Sequence, residues 1–139
     1  MRLVLDTNIL IAALIKDSLT REIFFAPGFE FLLPEYALGE VRRHHQKIAR
    51  YASLTAHEVD LLLSLLLESV TVVPMERILP HLQEAEVMIG SVDQDDVPFV
   101  ALALAVENDG IWSNYRAFEQ LSKIKVWKTS AIRDYLRRR

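Results

Sequence analysis

Residues 2–8 carry the sequence Arg-Leu-Val-Leu-Asp-Thr-Asn, in which a short apolar run ends abruptly in three polar residues. The run at residues 2–5 has the length and composition of a buried β-strand, and the apolar residues 9–15 indicate a helix immediately after it. Thr7 or Asn8 would cap that helix. A strand that passes directly into a helix is the first half of a β-α-β unit, so this segment favours an α/β fold.

The rest of the chain alternates between strand and helix patterns in the same way. Further strands are predicted at residues 29–33, 70–73, 111–113 and 126–127. Helices are predicted at residues 35–50, at 56–68 behind a Thr55–Glu58 capping box, at 80–90, at 97–107 and from residue 130 onward. Strands separated by helical crossovers predict a three-layer α/β/α sandwich with a central parallel sheet.

Length and composition fit one globular domain spanning residues 1–139. The chain is 51% hydrophobic and 25% charged, which is enough apolar material to bury a core. It contains no cysteine, so any metal must be held by oxygen or imidazole ligands. With a net charge of −3, nucleic-acid contact would require a local basic patch. No targeting segment or membrane-length apolar run is apparent, and we expect a cytoplasmic protein.

Carboxylates from distant parts of the sequence are expected at one end of the sheet. Asp6 follows the first strand, Glu40 lies on the helix after the second, and Asp93, Asp95 and Asp96 precede a strongly apolar helix. Ligands of open parallel sheets bind beyond the carboxyl ends of the strands. Gathering like charges beside apolar neighbours is costly, and a bound Mg²⁺ or Mn²⁺ would offset that cost. Such an ion also activates water for phosphodiester hydrolysis.

These segments resemble the PIN domains, and among them the toxin ribonucleases of bacterial and archaeal toxin–antitoxin pairs. Residues 3–8 are similar to the opening signature of that family, and residues 36–41 (Tyr-Ala-Leu-Gly-Glu-Val) carry its helical glutamate. Residues 93–104 are similar to its central acidic helix start, and residues 110–118 (Gly-Ile-Trp-Ser-Asn-Tyr-Arg-Ala-Phe) to its segment with a hydroxyl residue and a further aspartate. Each motif alone is weak, but their order and spacing cover nearly the whole chain.

The resemblance implies a metal-dependent endoribonuclease with a PIN-like fold. Asp6, Glu40 and Asp96 would be its catalytic carboxylates and would bind Mg²⁺ or Mn²⁺. Asn8, in the same signature as Asp6, would support the site, and Ser113 or Asn114 would orient a ligand or a water. The resemblance further implies an RNA substrate, a possible antitoxin partner and a homodimer.

One position departs from the family pattern, which would place an aspartate where this chain has Tyr115. Asp93 is a candidate substitute and therefore a fourth metal-ligand candidate. The departure also motivates an alternative hypothesis, a catalytically weakened or inactive PIN-like domain that binds RNA or a protein partner. A receiver-like phosphorylation switch is disfavoured because the third predicted strand ends in Val73-Pro74 without the aspartate that such a switch needs.

Structural explanations compete with functional ones at these positions. Asp6 would cap the first helix, Glu40 would pair with a basic residue on its own helix, and Asp95 and Asp96 would suit a helix dipole without any metal. The complete Asp-Thr-Asn signature favours the ligand role for Asp6. For Asp95 we expect only the helix-dipole role.

A dense basic cluster lies on the same predicted helix as Glu40. A solvated helix face is its default explanation. The alternative is a patch for RNA phosphates, with Arg42, Arg43 and Lys47 as the contacts. The leucine-rich helix at residues 61–67 is more apolar than one core requires, and it predicts a homodimer or partner surface.

Overall fold

The computed structural model describes residues 1–139, and its centre is one sheet of five parallel strands. The strands are β1 (Arg2–Leu5), β2 (Glu30–Pro34), β3 (Val70–Val73), β4 (Ile111–Trp112) and β5 (Val126–Trp127). Their spatial order is β3-β2-β1-β4-β5. The chain therefore builds outward from β1 on one side, then returns to build β4 and β5 on the other. This reversal between β1 and β4 is the place where open α/β sheets bind ligands.

Helices complete a three-layer α/β/α sandwich around this sheet. They are α1 (Thr7–Ile15), α2 (Leu19–Phe25), α3 (Glu35–Arg43), α4 (His45–Ala52), α5 (Ala56–Leu66), α6 (Met75–Ile78), α7 (Leu82–Ala85), α8 (Val97–Ala105) and α9 (Thr129–Arg138). A π-helical turn at Glu86–Gly90 and short 3₁₀ turns at Leu67–Ser69, Leu79–His81, Gln94–Asp96 and Arg116–Gln120 join them. No helix combines the length and apolar character needed to cross a membrane.

The core packs around the aromatic side chain of Trp112 on β4. Its ring centroid lies 5.6 Å from those of both Phe24 and Phe31, which are themselves 5.0 Å apart. Helix α8 adds five buried apolar side chains at and after its first turn, which explains why its sequence is apolar nearly all round. This packing fixes the end of β4 and the start of α8, the two places from which acidic-site residues project.

The predicted parallel sheet and most predicted elements are confirmed, with helix and strand bounds that shift by up to two residues. The capping box is also confirmed: the Thr55 hydroxyl accepts the Glu58 N–H at 3.1 Å, and the Glu58 carboxylate accepts the Thr55 N–H at 2.9 Å. The prediction that Thr7 or Asn8 caps α1 was wrong. Asp6 is the cap, because Asp6 alone has extended backbone torsions and its carboxylate accepts the Asn8 N–H.

Two helical predictions were also wrong in their extent, and one helix was missed. The helix predicted at residues 35–50 is divided at His44, a break that no glycine or proline marks in the sequence. The helical segment predicted at residues 80–90 begins at Met75 instead, directly after Pro74. Helix α2 was not predicted; it is short, but it buries Ile23 and Phe24.

Candidate metal centre

A cleft of about 340 Å³ opens where β1 and β4 end, and carboxylates dominate its wall. Pairing Leu5 with Trp112 places the next residues, Asp6 and Ser113, side by side at the carboxyl ends of the two strands. Helix α3 and the turn before α8 close the other sides. The side chains lining the cleft are Asp6, Thr7, Asn8, Ile11, Glu40, His44, Asp93, Asp95, Asp96, Phe99 and Tyr115.

Asp6 lies at the floor of this cleft and is only 4% exposed. One carboxylate oxygen accepts the Ser113 hydroxyl at 2.8 Å, and the other accepts the Asn8 N–H at 3.3 Å. Burial raises the pKa of Asp6, and these two hydrogen bonds oppose that rise. The capping role and the site role of Asp6 therefore coexist, since capping uses one oxygen and Ser113 orients the other.

Glu40 reaches the cleft from α3 and is held there by a residue of the opening signature. The Thr7 hydroxyl donates to a Glu40 carboxylate oxygen at 2.9 Å. No ion pair joins Glu40 to a basic residue, so the simple surface-pair explanation of Glu40 is wrong. The sequence prediction gave the Thr7 side chain no role at the site, although Thr7 is the middle residue of the Asp-Thr-Asn signature.

Asp96 is the carboxylate with the least favourable surroundings. It is 7% exposed, and its Oδ2 atom is buried without any hydrogen-bond partner. Burial, and then the charges of Asp93, Asp6, Asp95 and Glu40, raise its pKa from 3.8 to about 7. A buried oxygen without a partner costs free energy, and a cation placed beside it would remove that cost.

Asp93 and Asp95 belong to the turn that leads into Asp96. The Asp93 carboxylate accepts the Asp95 N–H at 2.9 Å through one oxygen and the Tyr115 hydroxyl at 3.3 Å through the other. Asp95 lines the exposed part of the cleft wall. Asp93 is thus tied to the residue that stands where the family pattern has an aspartate.

Two of the predicted supporting residues lie where the sequence suggested and one does not. Ser113 is buried against Asp6, and Asn8 lines the cleft, where its backbone N–H rather than its exposed side chain contacts Asp6. Asn114 does not line the cleft, because its side-chain amide exchanges two hydrogen bonds with Thr129 at the start of α9. Its amide is therefore already satisfied by a helix end.

The predicted RNA contacts lie on the surface outside the cleft. Arg42 and Arg43 are exposed at the end of α3, and Lys47 is exposed on α4 with its ammonium 5.9 Å from the Tyr51 ring centroid. Among the basic residues between positions 42 and 50, only His44 lines the cleft. His45 is engaged elsewhere, with its ring nitrogen 2.7 Å from an Asp60 carboxylate oxygen.

The residues present fit a hard divalent cation in chemistry, although their side chains do not converge. No group of three or more acidic or histidine side chains is close enough in this structure to hold a metal ion. The donors that face the cleft are oxygen atoms, the type that Mg²⁺ and Mn²⁺ prefer, and Asp96 Oδ2 is an acceptor that no protein donor satisfies. Asp6, Glu40 and Asp96 are the residues that would hold such an ion.

The chain is similar to known proteins in sequence and in fold. The chain matches the PIN domain family over residues 4–137. Its fold is similar to that of a chain in the crystal structure of VapBC2 from Rickettsia felis bound to a DNA fragment from their promoter. The TM-score is 0.72 at 16% identity, covering 92% of this chain and 98% of that one. No match was found among curated proteins. Because the family match extends over nearly the whole chain, the protein belongs to the PIN domain family.

Proposed function

We propose that this protein is a metal-dependent endoribonuclease that hydrolyses RNA phosphodiester bonds. The observation that carries the proposal is the buried, unpartnered Asp96 Oδ2 atom in a cleft whose wall contains four other carboxylates. Membership of the PIN domain family supports it, since proteins of this family are generally nucleases that use divalent metals.

In this proposal the carboxylates that would hold the metal, and the serine beside Asp6, have defined tasks. Asp6, Glu40 and Asp96 bind Mg²⁺ or Mn²⁺, with Asp93 as a fourth candidate. When bound, the ion would activate a water and offset the negative charge that develops on the phosphate oxygens. Ser113 fixes one oxygen of Asp6 by donating its hydroxyl proton.

In this proposal, catalysis and RNA contact use separate parts of the surface. The cleft itself is acidic and would repel a phosphate chain that lacked a metal to bridge it. Arg42, Arg43 and Lys47 are exposed beside it on α3 and α4, and we propose that they attract the RNA backbone from there. Because the overall charge is −3, attraction of RNA phosphates would need a local basic patch of this kind.

Biological context is part of the proposal as well. The similarity to a chain of the VapBC2 complex supports the role of toxin in a toxin–antitoxin pair, with a protein antitoxin as partner and the cytoplasm as location. A homodimer is proposed on the apolar side chains of Leu61 and Leu65, which are 54% and 51% exposed on one face of α5. Sedimentation of the purified chain, compared with Leu65→Glu, tests the dimer.

The alternative is a catalytically weakened or inactive PIN domain that binds RNA or a protein partner. Tyr115 in place of an acid favours it, and so does the lack of three converging ligands. It predicts affinity for RNA or a partner that EDTA does not change.

RNA cleavage in Mn²⁺ tests the proposal, with Asp6→Asn as the inactive variant, since asparagine keeps the helix cap. Asp134→Asn, at an exposed position of α9, is the matched control and should cleave RNA normally. Because water is the nucleophile, we expect products without a 2′,3′-cyclic phosphate. Equal cleavage by wild type and Asp6→Asn, or no cleavage of a diverse RNA pool, would contradict the proposal.

A further inference from the structure

We propose that Tyr115 is a positioning residue that holds Asp93 at the wall of the acidic cleft, so that Asp93 supplies the fourth acidic position that Tyr115 itself lacks. The inference rests on the proposed metal-dependent function. It concerns position 115, where the resemblance to the PIN domains leads us to expect an aspartate.

Tyr115 is anchored at two points on opposite sides of the cleft. Its backbone N–H donates to the Ser113 hydroxyl oxygen at 3.0 Å, and the same hydroxyl donates to Asp6 at 2.8 Å. Its phenol O–H donates to Asp93 Oδ2 at 3.3 Å. A continuous series of hydrogen bonds therefore runs from the end of the sheet to the turn before α8.

The ring of Tyr115 has limited freedom to point elsewhere. It packs edge-on against Phe118 with the ring centroids 6.3 Å apart, and Phe118 is fully buried. Tyr115 is nevertheless 43% exposed, so it contributes less to the core than its neighbour does. The packing directs the phenol toward Asp93 without making the side chain essential for folding.

Holding Asp93 also constrains Asp96. The second oxygen of Asp93 accepts the Asp95 N–H at 2.9 Å, and the Asp93 carbonyl accepts the Asp96 N–H at 3.3 Å. These bonds form the turn from which Asp96 enters the cleft. A hydrogen bond that holds Asp93 at the cleft wall therefore also restrains Asp96, the other candidate ligand in this turn.

A phenol suits this position in a cleft that already has five carboxylates. An additional aspartate would increase the repulsion among them, whereas a neutral hydroxyl donates a proton to one of them. The donor–acceptor distance of 3.3 Å is longer than in an ordinary hydrogen bond of this kind, so the effect of losing it should be moderate.

Calorimetric titration of Mn²⁺ tests the inference through a double-mutant cycle of Tyr115→Phe and Asp93→Ala, since alanine removes the acceptor of the phenol and asparagine would keep one. We expect Tyr115→Phe to weaken Mn²⁺ binding about three- to tenfold in the wild-type background, the size of one hydrogen bond. In the Asp93→Ala background the same change should have no further effect. Tyr135→Phe removes a hydroxyl from α9, where the ring packs against Phe29 and Trp127, and should bind like wild type.

A second readout requires no metal. Loss of the phenol should accelerate hydrogen exchange at the Asp95 amide in EDTA, because Asp93 then holds that N–H less firmly. Unchanged Mn²⁺ affinity in Tyr115→Phe would overturn the positioning role but not the proposed function. An equal loss of Mn²⁺ affinity on Tyr115→Phe in the presence and in the absence of the Asp93 carboxylate would do the same. Absence of Mn²⁺ binding by wild-type protein would overturn the proposed function, and the positioning role with it.

Discussion

Asp96 is the residue whose environment most needs an explanation. A carboxylate that is 7% exposed, surrounded by four others and left with an unsatisfied oxygen, destabilises the metal-free fold when it is ionised. Asp96 stands at the N-cap position of α8, but its side chain makes no capping hydrogen bond. A role in binding a cation accounts for this acid, whereas a helix-capping role does not.

The raised pKa of Asp96 predicts how stability depends on pH without metal. The folded state binds the Asp96 proton up to about pH 7, whereas the unfolded state loses it near the ordinary value of 3.8. Stability from this group is therefore present below about pH 4 and is lost as pH rises through 7, a change on the order of 2 to 4 kcal/mol. Burial raises the pKa of Asp6 too, so Asp6 contributes in the same direction.

Thermal unfolding in EDTA at pH 5.5 and 8.5 checks this prediction. Wild type should melt at a lower temperature at pH 8.5, and Asp96→Asn should show a much smaller difference between the two pH values. If the variant lost as much stability between these pH values as wild type does, Asp96 would not be the group responsible.

Thr7 offers a second prediction for a single side chain. Thr7→Val keeps the shape but removes the hydroxyl that donates to Glu40, so Glu40 should lose its orientation. We expect the rate of Mn²⁺-dependent RNA cleavage to fall about tenfold and the free energy of unfolding to fall by about 1 kcal/mol. Thr7→Ser keeps the donor and should retain most of the activity. Equal activity of the valine and serine variants would show that this hydrogen bond does not matter.

At the scale of elements, the strands and their sequence along the chain follow from local patterns, but their spatial order in the sheet and the helix breaks do not. The apolar runs, the capping box at Thr55 and the strand-ending prolines are all local features that a sequence displays. The predicted helix 35–50 is divided at His44, and no residue type in the sequence marks this division. Helix α2 is held by tertiary contacts, because Arg21 donates to the Ala13 and Leu14 carbonyls at the end of α1.

Two glycines in opposite environments give a test at this scale. Gly110 ends the turn between α8 and β4, whereas Gly39 lies inside α3. Gly110 has a φ of +134°, and a Cβ atom there would lie 2.5 Å from the Lys125 carbonyl oxygen, so Gly110→Ala forces β4 and β5 apart. We expect a loss of about 2 kcal/mol or more. Gly39 lies inside α3 with open space around it, and Gly39→Ala should instead stabilise by about 0.5 to 1 kcal/mol.

Urea unfolding of both variants measures these changes. Destabilisation by Gly39→Ala comparable to that of Gly110→Ala would mean that added bulk, and not the backbone conformation and close contact at Gly110, sets the cost.

At the scale of the whole molecule, the sequence predicts the sheet end at which the acids meet but not how they contact one another. Asp6 follows one predicted strand and Ser113 ends another, so their meeting was foreseeable once those strands were adjacent. The bonds from Thr7 to Glu40 and from Tyr115 to Asp93 join residues 33 and 22 positions apart, and they depend on tertiary packing. For the same reason Asn114 could not be separated from Ser113 by its position in the sequence.

Anomalous diffraction from crystals soaked in Mn²⁺ tests whether the acidic cleft binds a divalent metal at Asp96. We predict an anomalous peak within coordination distance of Asp96 Oδ2, the atom that has no protein partner, with Asp6 and Glu40 turned toward it. Crystals of Asp96→Asn should lack the peak. A Mn²⁺ peak elsewhere, such as beside Glu107 and Asp109 at the opposite end of the sheet, or no peak in the cleft of wild-type crystals, would contradict the account.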